Sequence, residues 1–204
     1  LEIKPDNTPF TPQSSNFKVA GIASLRDGKN TLTMLYGYSD NDHTHADKLS
    51  IAYHDGKREI LLDPGTFSYS TPVYVNWHKQ TLSLNTVLVD FKSMNIKNPK
   101  AAGKVKSFKA NSDGAEIEVE CDGLYEGVKL SRKCAVKNGE LEDNFKAQSD
   151  KEHTYDYVLN FFEKPQLPSP TKKVKFAEQG GAYKFLKNSE AAAFKGAFTF
   201  KVGE

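Results

Sequence analysis

The sequence predicts an all-β chain folded as an antiparallel β-sandwich. Three observations carry this. Apolar and β-branched residues come in short runs bounded by Gly, Asn, Asp or Pro; two boundaries are tight hairpin dipeptides; and helical periodicity is almost absent. The runs are, in order, "NFKVAGIASL", "NTLTMLYGY", "DKLSIAYHDGKREILLDPG", "LNTVLVDF", "GKVKSFKAN", "AEIEVEC", "GVKLSRKCAV", "ELEDNFKA", "TYDYVLNFF" and "AFTFKV". "HDGK" and "KNGE" each set a Gly after Asp or Asn between strand-like residues, the strongest short hairpin signal. "AEIEVE" alternates strictly, as a half-buried strand does. The one helical candidate is "EAAAFKGA", a turn or two long. About ten strands at this spacing suit a sandwich of large antiparallel sheets.

With 204 residues the chain can bury about 70% of its unfolded surface without a metal or disulfide. Residues 1–16, with Pro5, Pro9 and Pro12, read as an irregular lead-in, and 17–204 as a single domain. "EKPQLPSPTKK" (163–173) is a Pro-rich loop, too short for a linker between domains. No internal repeat is present. The net charge of +2 is spread along the chain, which gives no footprint for nucleic acid. No apolar run approaches the roughly 18 residues of a membrane span. The start at "LEIKPDNTPF", with neither initiating Met nor signal peptide, reads as a processed form or a fragment. Cys121 and Cys134 fall in one hairpin but out of register. At about 3.3 Å per residue, that offset exceeds the roughly 7 Å limit between bridged Cα atoms. Two free thiols are expected.

The polar stretch Asp42-His43-Thr44-His45-Ala46-Asp47 holds two of the chain's five histidines. It is either a solvated loop or the working end of a site. Strand register bears on this. If "HDGK" closes over a two-residue Asp55-Gly56 turn, Leu49 faces Leu62 and Ile51 faces Ile60. His45 and Asp63 then lie on opposite faces unless the chain bends near 45–48. A three-residue loop with a Gly bulge puts Asp63 opposite Asp47, on the face of His45. The apolar pairing prefers the first register.

From "HTHADKLSIAYHDGKREILLDPGTFSYS" to "WHKQTLSLNTVLVD" the sequence resembles the C-terminal β-sheet domain of the heparinase II/III-like polysaccharide lyases, including the related alginate lyases. The family pattern is His-x-His-x-Asp, a hairpin, Asp-Pro-Gly, an aromatic stretch and Thr-x-x-His-Asn-Thr-x-x-Val-Asp. Here these are His43, His45 and Asp47; Asp63-Pro64-Gly65; Tyr69 and Tyr74; and Thr81 through Asp90. The similarity extends over residues 17–162.

The resemblance implies cleavage of acidic, uronic-acid-containing polysaccharides (heparin, heparan sulfate or alginate type) by β-elimination. A base removes the proton beside the uronate carboxylate, and the site must neutralise that carboxylate and steady an enolate-like intermediate. It implies that the base and a neutralising Asn or His belong to an N-terminal helical (α/α) toroid not found in this sequence. This chain then forms one wall of a cleft and is inert alone. It implies that His43 faces the substrate. It implies that His45 and Asp63 are two ligands of a zinc whose third is the His of His-Asn-Thr; here Leu84 stands at that position and cannot ligate. A bacterial location in the periplasm or outside the cell is also implied.

Other residues have two readings. Trp77, His78 and Tyr74 can line a sugar subsite, since aromatic faces pack on pyranose rings, or belong to the core. Asp63-Pro64-Gly65 is equally a turn. Asn160 falls where the family's late strand suggests a histidine. His54 reads as solvated and His153 as a strand edge. The lysines of "KSMNIKNPKAAGKVKS" protect an edge or steer an anionic glycan. The rival function is a non-catalytic carbohydrate-binding or structural β-sandwich, with Leu84 in its favour.

Overall fold

A computed structural model of the chain describes residues 11–38, 43–98, 101–168 and 170–203. Residues 1–10 of the expected lead-in, and Asp42, lie outside the described residues. The first sheet is built from β1 (Ser15–Phe17), β2 (Ile22–Asp27), β3 (Asn30–Leu35), β4 (Ser50–His54) and β5 (Glu59–Leu61), paired antiparallel in chain order. A short β6 (Val87–Val89) follows. The second sheet holds β7 (Lys104–Asn111), β8 (Gly114–Tyr125), β9 (Val128–Lys137) and β10 (Glu140–Ser149), again antiparallel. β11 (Tyr155–Tyr157) pairs with β6. Two further ribbons join β12 (Pro165–Gln166) to β15 (Lys201–Val202), and β13 (Lys172–Lys173) to β14 (Glu190–Ala191).

The sheets close face to face, β2 and β3 against β8 and β9. Alternation decides which side chains meet. Ala23, Leu25, Leu32 and Met34 come from one face, and Ala115, Ile117, Val119, Cys121, Leu130, Cys134 and Val136 from the other, all buried. Such strands bury every second residue and leave the next to solvent, which is the pattern of β8 and β9. The all-β antiparallel sandwich read from the sequence is the fold observed. The "KNGE" hairpin forms as predicted: Lys137 pairs with Glu140, and Asn138 and Gly139 take φ of 53° and 80°. Both thiols are free. Cys121 lies across from Leu130 and Cys134 across from Ile117, an offset of four positions.

Several expectations fail. "EAAAFKGA" forms no helix: Glu190–Ala191 pairs as β14. "NFKVAGIASL" is broken by a turn before β2, where the Gly21 amide bonds to Phe17 O at 2.8 Å. Neither proposed register of the "HDGK" hairpin occurs. His54 pairs with Glu59 across a four-residue loop, and the register slips before Tyr53 meets Leu61. The cause is Asp55, whose carboxylate accepts the amides of Lys57 and Arg58 at 2.8 Å each and builds a wider turn. β5 then ends early, because the Leu62 amide bonds to Asn160 O at 2.8 Å instead of to β4.

A second, smaller cluster gathers Leu82, Leu88, Ala182 and Tyr183, with Trp77 and Phe176 packed on it. It anchors the segment between β5 and β6 to the C-terminal region. That segment forms one wall of the site.

Candidate functional site

The chain from His43 to Leu49 is irregular, yet its backbone is tied down. Thr81 Oγ1 donates to Ala46 O at 3.0 Å, and Thr86 Oγ1 donates to Lys48 O at 3.0 Å. Both threonines are fully buried. The Ala46 amide reaches Lys79 O at 3.1 Å and the Leu49 amide reaches Leu35 O at 2.7 Å. Leu49 has φ of 59°, unusual for a residue with a branched side chain. This is a sharp bend just before β4, and it frees residues 43–48 from the strand direction. Buried Asn85 completes the frame: its Nδ2 donates to Ile51 O (2.7 Å) and Leu62 O (2.9 Å), and its Oδ1 accepts the Asn160 amide. The Asn-Thr pair of the sequence motif therefore holds the framework behind the site.

The bend sets His43, His45, Asp47 and Lys48 along a hollow of about 400 Å³, with Gly21 and Gly37 opposite. That volume lies within the range of small-molecule sites, about 300–1,000 Å³. The glycines are required. A Cβ on Gly21 (φ 65°) would stand 2.0 Å from Gly37 Cα, so only bare backbone permits this approach. Lys48 and Asp47 neutralise one another at 2.7 Å, with the lysine side chain only 5% exposed. Across from them lies the segment after Asp63. Asp63 Oδ1 accepts the Gly65 amide at 2.7 Å, the turn its Pro-Gly sequel implies.

Aromatic side chains line this region. His43 is exposed, and its Nδ1 shares a hydrogen bond of 2.9 Å with the Tyr69 hydroxyl, the rings meeting edge-on at 5.1 Å. Tyr69 packs edge-on against Tyr74 at 4.7 Å, and Tyr74 in turn meets His45 at 5.9 Å. Tyr74 is 5% exposed and carries the Lys79 ammonium 5.6 Å over its ring. His78 stacks on Phe67 at 5.9 Å, with Nδ1 3.3 Å from Gly65 O. Trp77 is turned elsewhere, against Phe185 at 5.7 Å in the smaller cluster. The structure thus gathers His43, His45, Tyr74 and His78 into one region and leaves Trp77 outside it. Tyr69, quoted only as part of a motif, is the direct partner of His43; its place in the aromatic stretch was the available signal. His54 Nδ1 accepts the Gly56 amide at 2.9 Å and belongs to the hairpin turn.

His45 titrates below the ordinary imidazole range. Burial is the main cause, and the charges of Asp47 and Asp63 oppose it without winning. Its ring is therefore neutral at pH 7. His45 and Asp63 are near enough to feel one another. Even so, no group of three or more His, Cys, Asp or Glu among the described residues is arranged to hold a metal ion. Leu84, where a further donor would be needed, is buried and apolar. A structural zinc takes four ligands, and the donor set among the described residues falls short of that.

Residues 10–201 match the profile of the family described as heparinase II/III-like, C-terminal. The chain belongs to that family. Among solved structures, heparinase III, the BT4657 gene product, superposes with a TM-score of 0.62 at 16% identity, covering 80% of this chain and 25% of that one. Heparan sulfate lyase HepC from Pedobacter heparinus gives 0.65 at 16% identity, covering 76% of this chain and 25% of that one. The chain thus spans about a quarter of the length of these structures. A search of curated proteins finds no match. In this heparinase II/III-like C-terminal domain, the His-x-His segment lies just before the bend at Leu49 that leads into β4. The two histidines differ in kind: His43 is exposed and paired with a phenol, and His45 is half-buried and neutral.

Proposed function

We propose that this chain is the β-sheet part of a polysaccharide lyase that cleaves uronic-acid-containing glycans by β-elimination, in the periplasm or outside the cell. Its hollow forms one wall of the glycan cleft. A helical toroid of the same parent protein supplies the opposite wall and the base. The supporting observation is the placement of His43: an exposed imidazole, hydrogen-bonded to Tyr69, on the rim of a hollow of suitable volume. Donors fixed in advance where a carboxylate must be neutralised do the electrostatic work of such a reaction. With its proton on Nε2, neutral His43 accepts from the Tyr69 hydroxyl. Protonated, it donates to Tyr69 and carries the positive charge itself. Either form suits an acidic sugar. The closed Asp47–Lys48 pair leaves no uncompensated carboxylate there to repel the substrate.

The test is His43→Gln in the parent lyase, assayed by release of unsaturated, ultraviolet-absorbing product from heparan sulfate and alginate. Loss of one such donor is expected to lower kcat by about 10²–10³. Unchanged kcat would remove His43 from the mechanism. The isolated chain is expected to release no product; release would show that the base lies within these residues. A non-catalytic carbohydrate-binding module is the second reading, favoured by buried Leu84 in place of a donor. It predicts glycan binding by the chain and a parent protein with no lyase activity.

A further inference from the structure

Away from this hollow, Asp90, His153 and Ser149 are joined in a chain of hydrogen bonds. His153 Nδ1 is 2.8 Å from Asp90 Oδ2, and its Nε2 is 3.1 Å from Ser149 Oγ. For the neutral imidazole, chemistry fixes the direction of each bond. A carboxylate only accepts, so an imidazole proton sits on Nδ1, and in the neutral ring Nε2 is then the acceptor. A bare Nε2 accepts, so the Ser149 hydroxyl donates to it. Ser149 Oγ also accepts the Lys151 amide at 3.2 Å, which leaves its single proton for the imidazole. Asp90 is held below the usual carboxylate range, first by the His153 hydrogen bond and then by the Thr154 amide. It is ionised at neutral pH, as the first member of such a relay must be.

Two further observations separate this arrangement from an ordinary loop staple. Asp90 and Phe91 both adopt left-handed backbone, with φ of 51° and 61°. Non-glycine residues hold such angles only where the surroundings enforce them, and strain of this sort gathers at functional sites. Here the enforcement comes from Thr154. Its carbonyl accepts the Asp90 amide at 2.9 Å and its amide donates to Asp90 Oδ1 at 3.0 Å. Second, all three side chains border one hollow of about 540 Å³. Ser149 also borders an adjoining hollow of about 910 Å³, with Gln148 and Tyr155 on its wall. Ser149 therefore borders space that a ligand can occupy.

We propose that Ser149 is a nucleophile activated by His153, with Asp90 as the positioning residue, acting on small acyl esters such as an O-acetyl group of a sugar. The step balances without a cofactor. Ser149 Oγ bonds to the acyl carbon while its proton passes to His153 Nε2. The alcohol leaves with that proton as its bond to the acyl carbon breaks. Water, deprotonated by His153, then attacks the acyl-serine, releasing the carboxylic acid and restoring Ser149. This is nucleophile, base and orienting acid in the order general to such hydrolysis. It does not depend on the lyase reading, because no toroid and no uronate enter it.

The test treats the folded 204-residue chain with an alkyl fluorophosphonate and locates the adduct by peptide mass mapping. A single adduct on Ser149 is expected. Its rate should fall by about 10²-fold or more in His153→Gln, the usual worth of a general base. Asp90→Asn, melted alongside to check folding, should slow labelling while keeping Ser149 as the labelled residue. Acetate release from glucose pentaacetate should vanish in Ser149→Ala. No adduct on Ser149 in the wild-type chain, or equal labelling in His153→Gln, overturns the proposal. Labelling without acetate release overturns the substrate class.

Discussion

Arg132 sits on the inward face of β9, in line with Val128, Leu130, Cys134 and Val136, and is fully buried. Its guanidinium makes a two-pronged pair with Asp143, Nε to Oδ1 at 2.8 Å and Nη2 to Oδ2 at 2.6 Å. Nη1 donates to Leu49 O at 2.6 Å and to Asn85 O at 2.5 Å. One side chain thus clamps the second sheet to the bend behind His43 and to the Asn-Thr framework. Arg132→Met keeps much of the volume and removes every one of those bonds. Breaking a buried pair by deleting one partner costs about 3–5 kcal/mol. Each stranded carbonyl adds about 1–3 kcal/mol, partly offset because the Asp143 side chain is 13% exposed and water can reach it. A loss of about 4 kcal/mol is expected, measured by urea unfolding at pH 7 with the slope unchanged. Arg132→Met/Asp143→Leu should recover about 2 kcal/mol of it by removing the stranded carboxylate. The pH dependence supplies an independent check. Burial alone would raise the Asp143 carboxyl, but hydrogen bonds and charge from Arg132 hold it below the usual range. A depressed folded value stabilises the protein above the unfolded value of about 3.9, and that contribution is lost as pH falls through the folded value. The wild type should lose stability over that acid range, and Arg132→Met should lose less. A loss under about 1 kcal/mol at pH 7 would refute the clamp.

Thr81→Val strands both Ala46 O and the Met94 amide, which Thr81 Oγ1 accepts at 3.0 Å; about 1–3 kcal/mol of stability should go, with faster hydrogen exchange at Ala46. Gly21→Ala, meeting Gly37 Cα at positive φ, should cost more than about 2 kcal/mol in the same unfolding assay. His45 titrates low because it is buried, so the unfolded chain takes the proton first. Its contribution is full above about pH 6.5 and declines as pH falls toward the folded value, a slope His45→Gln should remove. Burial pushes the Cys121 thiol up to about 12 and Cys134 higher still. Neither should react with iodoacetamide at pH 8 until the protein unfolds, since the thiolate is the nucleophile.

The fold was legible because most of its information is local. "AEIEVEC" and "KNGE" state a period and a turn, and β8 and the hairpin from β9 to β10 obey them. The hairpin expectation failed where a side chain competed with the ladder. Asp55 took two backbone amides and widened its turn, which an Asp-Gly signal alone does not disclose. Leu49 accepted a positive φ because Leu35, Thr86 and Arg132 hold the backbone on either side of it, and those contacts are distant in sequence. The same non-locality governs the site. His43 and His45 could be picked from a polar hexapeptide, but that one is exposed beside Tyr69 and the other half-buried beside Tyr74 depends on a bend that no local pattern encodes. Arg132 looks in sequence like one more strand-edge cation, "KLSRKC". Only opposing sheets reveal that it faces inward and ties the bend in place. One residue that holds the bend behind His43 is therefore 89 positions away from it, and its effect travels through Leu49 and Asn85. Under the proposed function, substitutions at Arg132 should consequently alter activity without touching the substrate, through the backbone that carries His43.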